Sequence, residues 1–107
     1  MQAEYDRRRQ LMTRRLNQMG LRCFEPRGAF YCFPNIAITG MDDESFAQAL
    51  LHEERVAVVP GTAFGPSGAD HVRVCYATSY DELVDALDRI ERFVQRHPGP
   101  TAELRSA

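Results

Sequence analysis

The 107-residue chain contains no lysine; its 13 Lys-plus-Arg positions are all arginine. Without a side-chain amine, no residue of this chain can act as an amine nucleophile or form a Schiff base. A Walker-type phosphate loop is excluded for the same reason. Cysteine is scarce: Cys23, Cys32 and Cys75 are odd in number, widely spaced, and contain no C-x-x-C pair. That argues against a disulfide framework and a zinc site, and leaves each as a small buried hydrophobe in an apolar stretch. No apolar run approaches the roughly 18 residues of a membrane helix. The start, Met1-Gln2-Ala3-Glu4-Tyr5-Asp6-Arg7, has no apolar leader core, so a cytoplasmic location is expected and no membrane partner. Net charge is also small, −2, with an isoelectric point of about 5.9. A nucleic-acid module is usually clearly basic. The one basic patch, Arg7-Arg8-Arg9 with Arg14-Arg15, reads as a solvated helix face. Among His52, His71 and His97 no pair has metal-ligand spacing. No Ser-His-Asp or Cys-His arrangement is visible, so no catalytic residue and no metal ligand is assigned.

What is present suits one soluble domain: 12.2 kDa, 44% hydrophobic and 26% charged. Residues 1–19 carry a helical stripe of Tyr5, Met12, Leu16 and Met19, with Gly20 as its stop. Nothing before the stripe caps it, so the helix is either frayed at its start or continues upstream. Strands are expected at 21–25 and 29–33, separated by Pro26-Arg27-Gly28. The second, apolar or aromatic on both faces, should be interior. Asp42 can cap a helix over 43–54, with Met41 and Phe46 as a staple. Val56-Ala57-Val58-Val59 reads as a short strand ending at Pro60-Gly61, and 72–77 as the last strand. Ser79 and Glu82 form a capping box for a helix to about Arg96. Acids early and arginines late in that helix suit its dipole. His97 beyond it reads as solvated. The order is α-β-β-α-β-β-α, an α+β fold with a small, mainly antiparallel sheet and helices packed on it. Residues 1–97 form the domain and 98–107 a loose tail.

Arg73 is the most unusual placement, an arginine in mid-strand beside small, apolar neighbours. Such a guanidinium needs an anion. Glu25 or Asp70 could supply it as a salt bridge; a ligand carboxylate held by the guanidinium fork is the alternative. The turn-rich loop from Gly61 to Gly68 carries Phe64, which a plain solvent loop rarely needs, so the loop should pack against something. His71, just before the strand of Arg73, could approach the same place.

Three stretches in order carry a further signal: Gly28-Ala29-Phe30-Tyr31-Cys32-Phe33-Pro34, then Val56 through Gly65, then Val72-Arg73-Val74-Cys75-Tyr76-Ala77. Together they resemble the C-terminal small domain of class I/II pyridoxal-phosphate-dependent aminotransferases, of the aspartate aminotransferase-like, fold-type-I branch. The likeness covers about Tyr5 to Val94. It implies that Arg73 binds the substrate α-carboxylate and, more weakly, that Phe30 and Tyr31 approach the substrate side chain. It also implies amino transfer between an amino acid and a 2-oxo acid. The family's active-site lysine, phosphate-binding residues and acid partner of the pyridine nitrogen belong to a large domain upstream. This chain would therefore be a fragment, inactive alone, binding no pyridoxal phosphate covalently through a side chain. Its partners would be that N-terminal large domain and, in the intact enzyme, a second copy in a homodimer. The uncapped first helix fits a helix that continues from the large domain. The face toward that domain should expose apolar surface, including parts of the first-helix stripe and Phe64. A free-standing small-ligand binding or interaction module derived from the domain is the rival reading, and a nonfunctional remnant the third.

Overall fold

A computed structural model of the chain describes residues 2–23, 31–75 and 79–97, and for 2–5, 31 and 75 the backbone alone. The elements are α1 (Gln2–Gln18), β1 (Tyr31–Cys32), α2 (Asp43–Glu54), β2 (Val59–Pro60), β3 (Val72–Cys75) and α3 (Tyr80–Arg96), with short 3₁₀ turns at Ala37–Thr39, Gly61–Phe64 and Pro66–Gly68. Among the described residues the sheet order is β1-β3-β2. Both pairings are antiparallel, Tyr31 opposite Cys75 and Val59 opposite Arg73. The α+β class and its antiparallel sheet are as expected.

The helix ends follow their sequence signals. Gly20 takes φ +94°, its N–H reaches Asn17 O, and Leu21 N–H reaches Leu16 O at 2.9 Å. These two bonds close the α1 C-terminus in a Schellman motif. Asp42 accepts from Ser45 N–H at 2.8 Å and Ser79 from Glu82 N–H at 3.2 Å, each cap contributing about 1 kcal/mol. The stripe of α3 buries Leu83, Leu87, Ile90 and Phe93 against Leu11, Met12 and Leu16 of α1, Phe46 and Leu50 of α2, and Val72 and Val74 of β3. Each large apolar side chain so buried contributes roughly 1.5–3 kcal/mol. Phe46 meets Phe93 edge-on, with centroids 5.2 Å apart.

Four expectations are corrected. Leu21 to Cys23 form no strand, because their backbone groups are already engaged: Leu21 N–H closes α1, and the Asn17 amide takes both Cys23 N–H and Cys23 C=O at 2.9 Å. Val56 to Val58 run outside the ladder, and pairing starts at Val59, opposite Arg73. Pro60 belongs to β2 rather than ending it, which an edge strand tolerates. β1 is an edge strand in the described sheet, with β3 between it and β2. The remaining parts of the strands expected at 21–25, 29–33 and 72–77, and the tail 98–107, lie outside the described residues.

The arginines of α3 do more than face a dipole. Glu54, at the end of α2, binds Arg92 through Oε1 at 3.1 Å and Arg96 through Oε2 at 2.8 Å, while its carbonyl accepts from Arg89 at 2.9 Å. Arg96, then Arg92, holds the Glu54 carboxyl below the ordinary carboxylate range. His97 is not simply solvated: Nε2 lies 3.1 Å from Glu53 and the ring packs 4.5 Å from Phe93. On the other flank Arg15 joins α1 to Asp88 and Glu91 of α3, at 2.8 and 3.5 Å. Of the apolar surface expected to be exposed, Phe64 is 53% exposed, while Met12 and Leu16 of the first-helix stripe are fully buried and Met19 is partly buried.

Candidate functional site

The register of β2 on β3 sets the site. Val59 lies opposite Arg73 and Pro60 opposite Val72, so the chain leaving β2 turns at Gly61, opposite His71 and two residues along the ladder from the arginine. The Gly61–Phe64 turn then carries the Phe64 ring to 4.6 Å from Arg73 Cζ, face to guanidinium. Two glycines make the turn possible. A β-carbon on Gly61 would lie 2.0 Å from Gly68 O, and one on Gly68 would lie 2.2 Å from Gly61 O. Gly61 N–H donates to His71 O at 2.8 Å and His71 N–H to Gly68 O at 3.0 Å, so the loop crosses itself at contact distance.

Behind Phe64 stands Phe33, edge-on at 6.2 Å, and behind Phe33 the His71 ring, stacked at 4.9 Å and 9°. His71, expected to approach the place of Arg73, is linked to it only through this row, its ring lying against Phe33. The row sits on the Arg73 side of β3; Val72 and Val74 point the other way, into the core. Arg73 itself is half-buried. Stacking engages the face of a guanidinium, whereas a carboxylate is bound by its edge, so the two contacts do not compete.

Asp43 was not singled out by the sequence reading, which treated acids mainly as helix-end residues. Its side chain is buried, 3% exposed, and its Oδ2 accepts from Thr62 N–H at 2.9 Å and Thr62 Oγ1 at 2.6 Å. The Thr62 hydroxyl, then the Thr62 amide, hold this carboxyl below the ordinary carboxylate range. The available signal was redundancy: α2 needs one acidic cap, Asp42 fills it, and Asp43 follows.

Phe30 lies outside the described residues, as does the side chain of Tyr31, whose backbone pairs with Cys75. A groove of about 410 Å³ opens between α3 and the 55–57 segment, its lining including Val74, Leu83 and Ile90. It lies on the opposite face of β3 from Arg73. Among the described residues no cluster of His, Cys, Asp or Glu could hold a metal ion, and no helix is long and apolar enough to cross a membrane. Cys23 and Cys32 are buried; the Cys32 side chain draws the Cys23 thiol below its usual range, against the opposing effect of burial.

The sequence profile of the family "Aminotransferase class I and II" matches residues 1–90. The chain belongs to that family. An aspartate aminotransferase of Pyrococcus abyssi is 50% identical over 95 residues, covering 89% of this chain and 24% of that protein. An aromatic-amino-acid aminotransferase of Thermococcus litoralis is 47% identical, over 89% of this chain and 24% of its own length. The crystal structure of an aromatic aminotransferase from Pyrococcus horikoshii superposes with a TM-score of 0.85 at 51% identity, covering 88% of this chain and 25% of that one. The chain thus spans about a quarter of the length of these aminotransferase relatives.

Proposed function

We propose that residues 1–97 are the C-terminal small domain of a cytoplasmic, pyridoxal-phosphate-dependent aminotransferase, with 98–107 a tail, and that Arg73 holds the substrate α-carboxylate. The intact enzyme transfers an amino group between an amino acid and a 2-oxo acid, and its N-terminal large domain and homodimeric partner lie outside this chain. Phe30 and Tyr31 are assigned, more loosely, to the substrate side chain. The observation that carries the reading is the setting of Arg73: a half-buried guanidinium on the central strand of the described sheet, lying over the Phe64 ring, in a chain of this family. A planar fork held against an aromatic ring can present paired N–H donors to a carboxylate in a restricted set of orientations.

The cofactor does not fit this chain alone. With no lysine there is no side-chain amine for its aldehyde, so the chain by itself is inactive and no chemical step is assigned to it. Its contribution is to bind and orient the substrate; the electronic work belongs to the cofactor.

The test is Arg73→Lys in the complete enzyme. Lysine keeps the charge and loses the fork. Transition-state stabilisation should fall by about 2–5 kcal/mol, seen in kcat/KM for amino and oxo acids alike. Unchanged kinetics, together with unfolding of the isolated chain, would make Arg73 a structural salt-bridge residue and end the assignment.

A further inference from the structure

We propose that Phe64 is a positioning residue for the carboxylate contact of Arg73, and that Asp43 acts on it through Thr62. The inference rests on the reading of Arg73 given above. Phe64 is a large apolar side chain that the described fold leaves 53% exposed, so burial within this chain does not explain its place. Its contacts do. One side of its environment is the Arg73 guanidinium, at 4.6 Å; another is the edge-on ring of Phe33, at 6.2 Å and 80°, itself backed by His71. Arginine has many rotamers, and an aromatic face at this distance favours those that lay the guanidinium flat against it. Laid flat, the guanidinium has its donor edge aimed along one plane.

The position of Phe64 is in turn set from α2. Asp43 is a buried carboxylate, a costly arrangement unless hydrogen-bonded, and its side-chain partners are both on Thr62, at 2.9 and 2.6 Å. Thr62 lies two residues before Phe64 in the same 3₁₀ turn. Asp43 N–H is fixed to Ala69 O at 3.0 Å, so the latch is anchored at both ends of the loop. The order of action is Asp43 to Thr62, turn to Phe64, ring to Arg73.

The experiment uses the complete enzyme and two readouts: kcat and KM for the amino acid, and the inhibition constant of an unreactive short-chain monocarboxylic acid. Thr62 and Phe64 are exposed in this chain and lie outside its buried apolar core. Phe64→Leu should raise KM and the carboxylate inhibition constant about two- to fivefold, with kcat little changed. Phe64→Tyr, which keeps an aromatic face, should restore both. Thr62→Val, which loses the hydroxyl bond, should shift the same constants in the same direction. Combined with Phe64→Leu it should add nothing, because it acts through that ring. Equal effects of Leu and Tyr, an unchanged inhibition constant for Phe64→Leu, or additive effects in the double variant would each overturn the inference. Arg73→Lys separates the two readings. If it weakens the inhibitor and Phe64→Leu does not, the positioning role alone fails; if Arg73→Lys also leaves the inhibitor unaffected, the carboxylate reading fails with it.

Discussion

Adding one methyl group at Gly61 should damage this fold more than the same addition at Gly65 in the same loop. The β-carbon of Gly61→Ala would sit 2.0 Å from Gly68 O and 2.5 Å from His71 O. Both are backbone atoms, so no side chain can swing aside. Real β-carbon contacts essentially never fall below 3.0 Å, and the two strands of the crossing must part by roughly 1 Å. That parting stretches Gly61 N–H···O His71, now 2.8 Å, and His71 N–H···O Gly68, now 3.0 Å, beyond hydrogen-bonding range. Two weakened bonds at about 0.5–1.5 kcal/mol each, plus about 1–3 kcal/mol of crowding, give a loss of about 2–6 kcal/mol. Against a total stability of roughly 5–15 kcal/mol, that is a large share.

Urea unfolding of the chain reads the effect directly. With a slope of about 2 kcal/mol per molar, mid-range for small proteins, the midpoint should drop by about 1–3 M. Gly65→Ala is the control. No atom lies within 4 Å of its added carbon, but its φ of +139° is unfavourable for alanine, so it carries backbone strain of about 1–3 kcal/mol and no collision. Gly61→Ala should therefore be the worse of the two. A Gly61→Ala midpoint equal to wild type, or above that of Gly65→Ala, would mean that the loop does not cross itself at contact distance and that Phe64 is not delivered as described.

Incubating the chain with pyridoxal phosphate, reducing with borohydride and mapping by mass should find no modified side chain, since no lysine exists; a stable side-chain adduct would refute this, and modification of the N-terminal amine would not. The carboxyls of Asp43, Glu53 and Glu54 are all held below their ordinary range, first by Thr62, His97 and Arg96 respectively. Their stabilisation is complete above the ordinary carboxylate range and lost as pH falls through the lowered folded values. The urea midpoint should therefore decline on acidification, less steeply in Glu54→Gln, and a midpoint that rises would contradict the ion pairs. Phe93→Ala should cost about 3–5 kcal/mol, and its double-mutant cycle with Phe46 should show coupling of about 0.5–1.5 kcal/mol from the edge-on pair.

Helix ends were legible because their signals are local. Asp42, Ser79 and Gly20 each act within four residues, and α2 and α3 run over the residues that those caps predict. The strands were less legible, since β1 and β2 are two residues long and a period of two cannot be read from two positions. The apolar run Val56–Val59 looks like one strand, but Arg55 in the left-handed region, φ +60°, turns the chain as it leaves α2, and pairing starts only at Val59. Arg73 was legible because a charge in an apolar strand is conspicuous. Asp43 was not, because an acid at a helix start already has an ordinary explanation, and its partner Thr62 is nineteen residues away.

The same long-range pairing gives α2 its place in the site. Its C-terminal carboxylate, Glu54, is clasped by Arg92 and Arg96 of α3, one per oxygen, while Arg89 takes the carbonyl of the same residue. Exposed ion pairs taken singly contribute little, but Glu54 is only 9% exposed at its side chain, and a carboxylate so withdrawn from water requires partners on both oxygens. Planar arginine forks supply directed donors where a lysine would supply a point charge, which gives an all-arginine composition a structural use apart from the α-carboxylate role proposed for Arg73. At the other end of the helix, about 18 Å away for its 12 residues, Asp43 grips the turn that carries Phe64. One end of α2 is therefore fixed to the core through α3, and the other fixes the loop beside Arg73. A substitution at Glu54 that loosens the clasp while leaving the chain folded should thus be felt at Phe64, through a rigid element with two anchored ends.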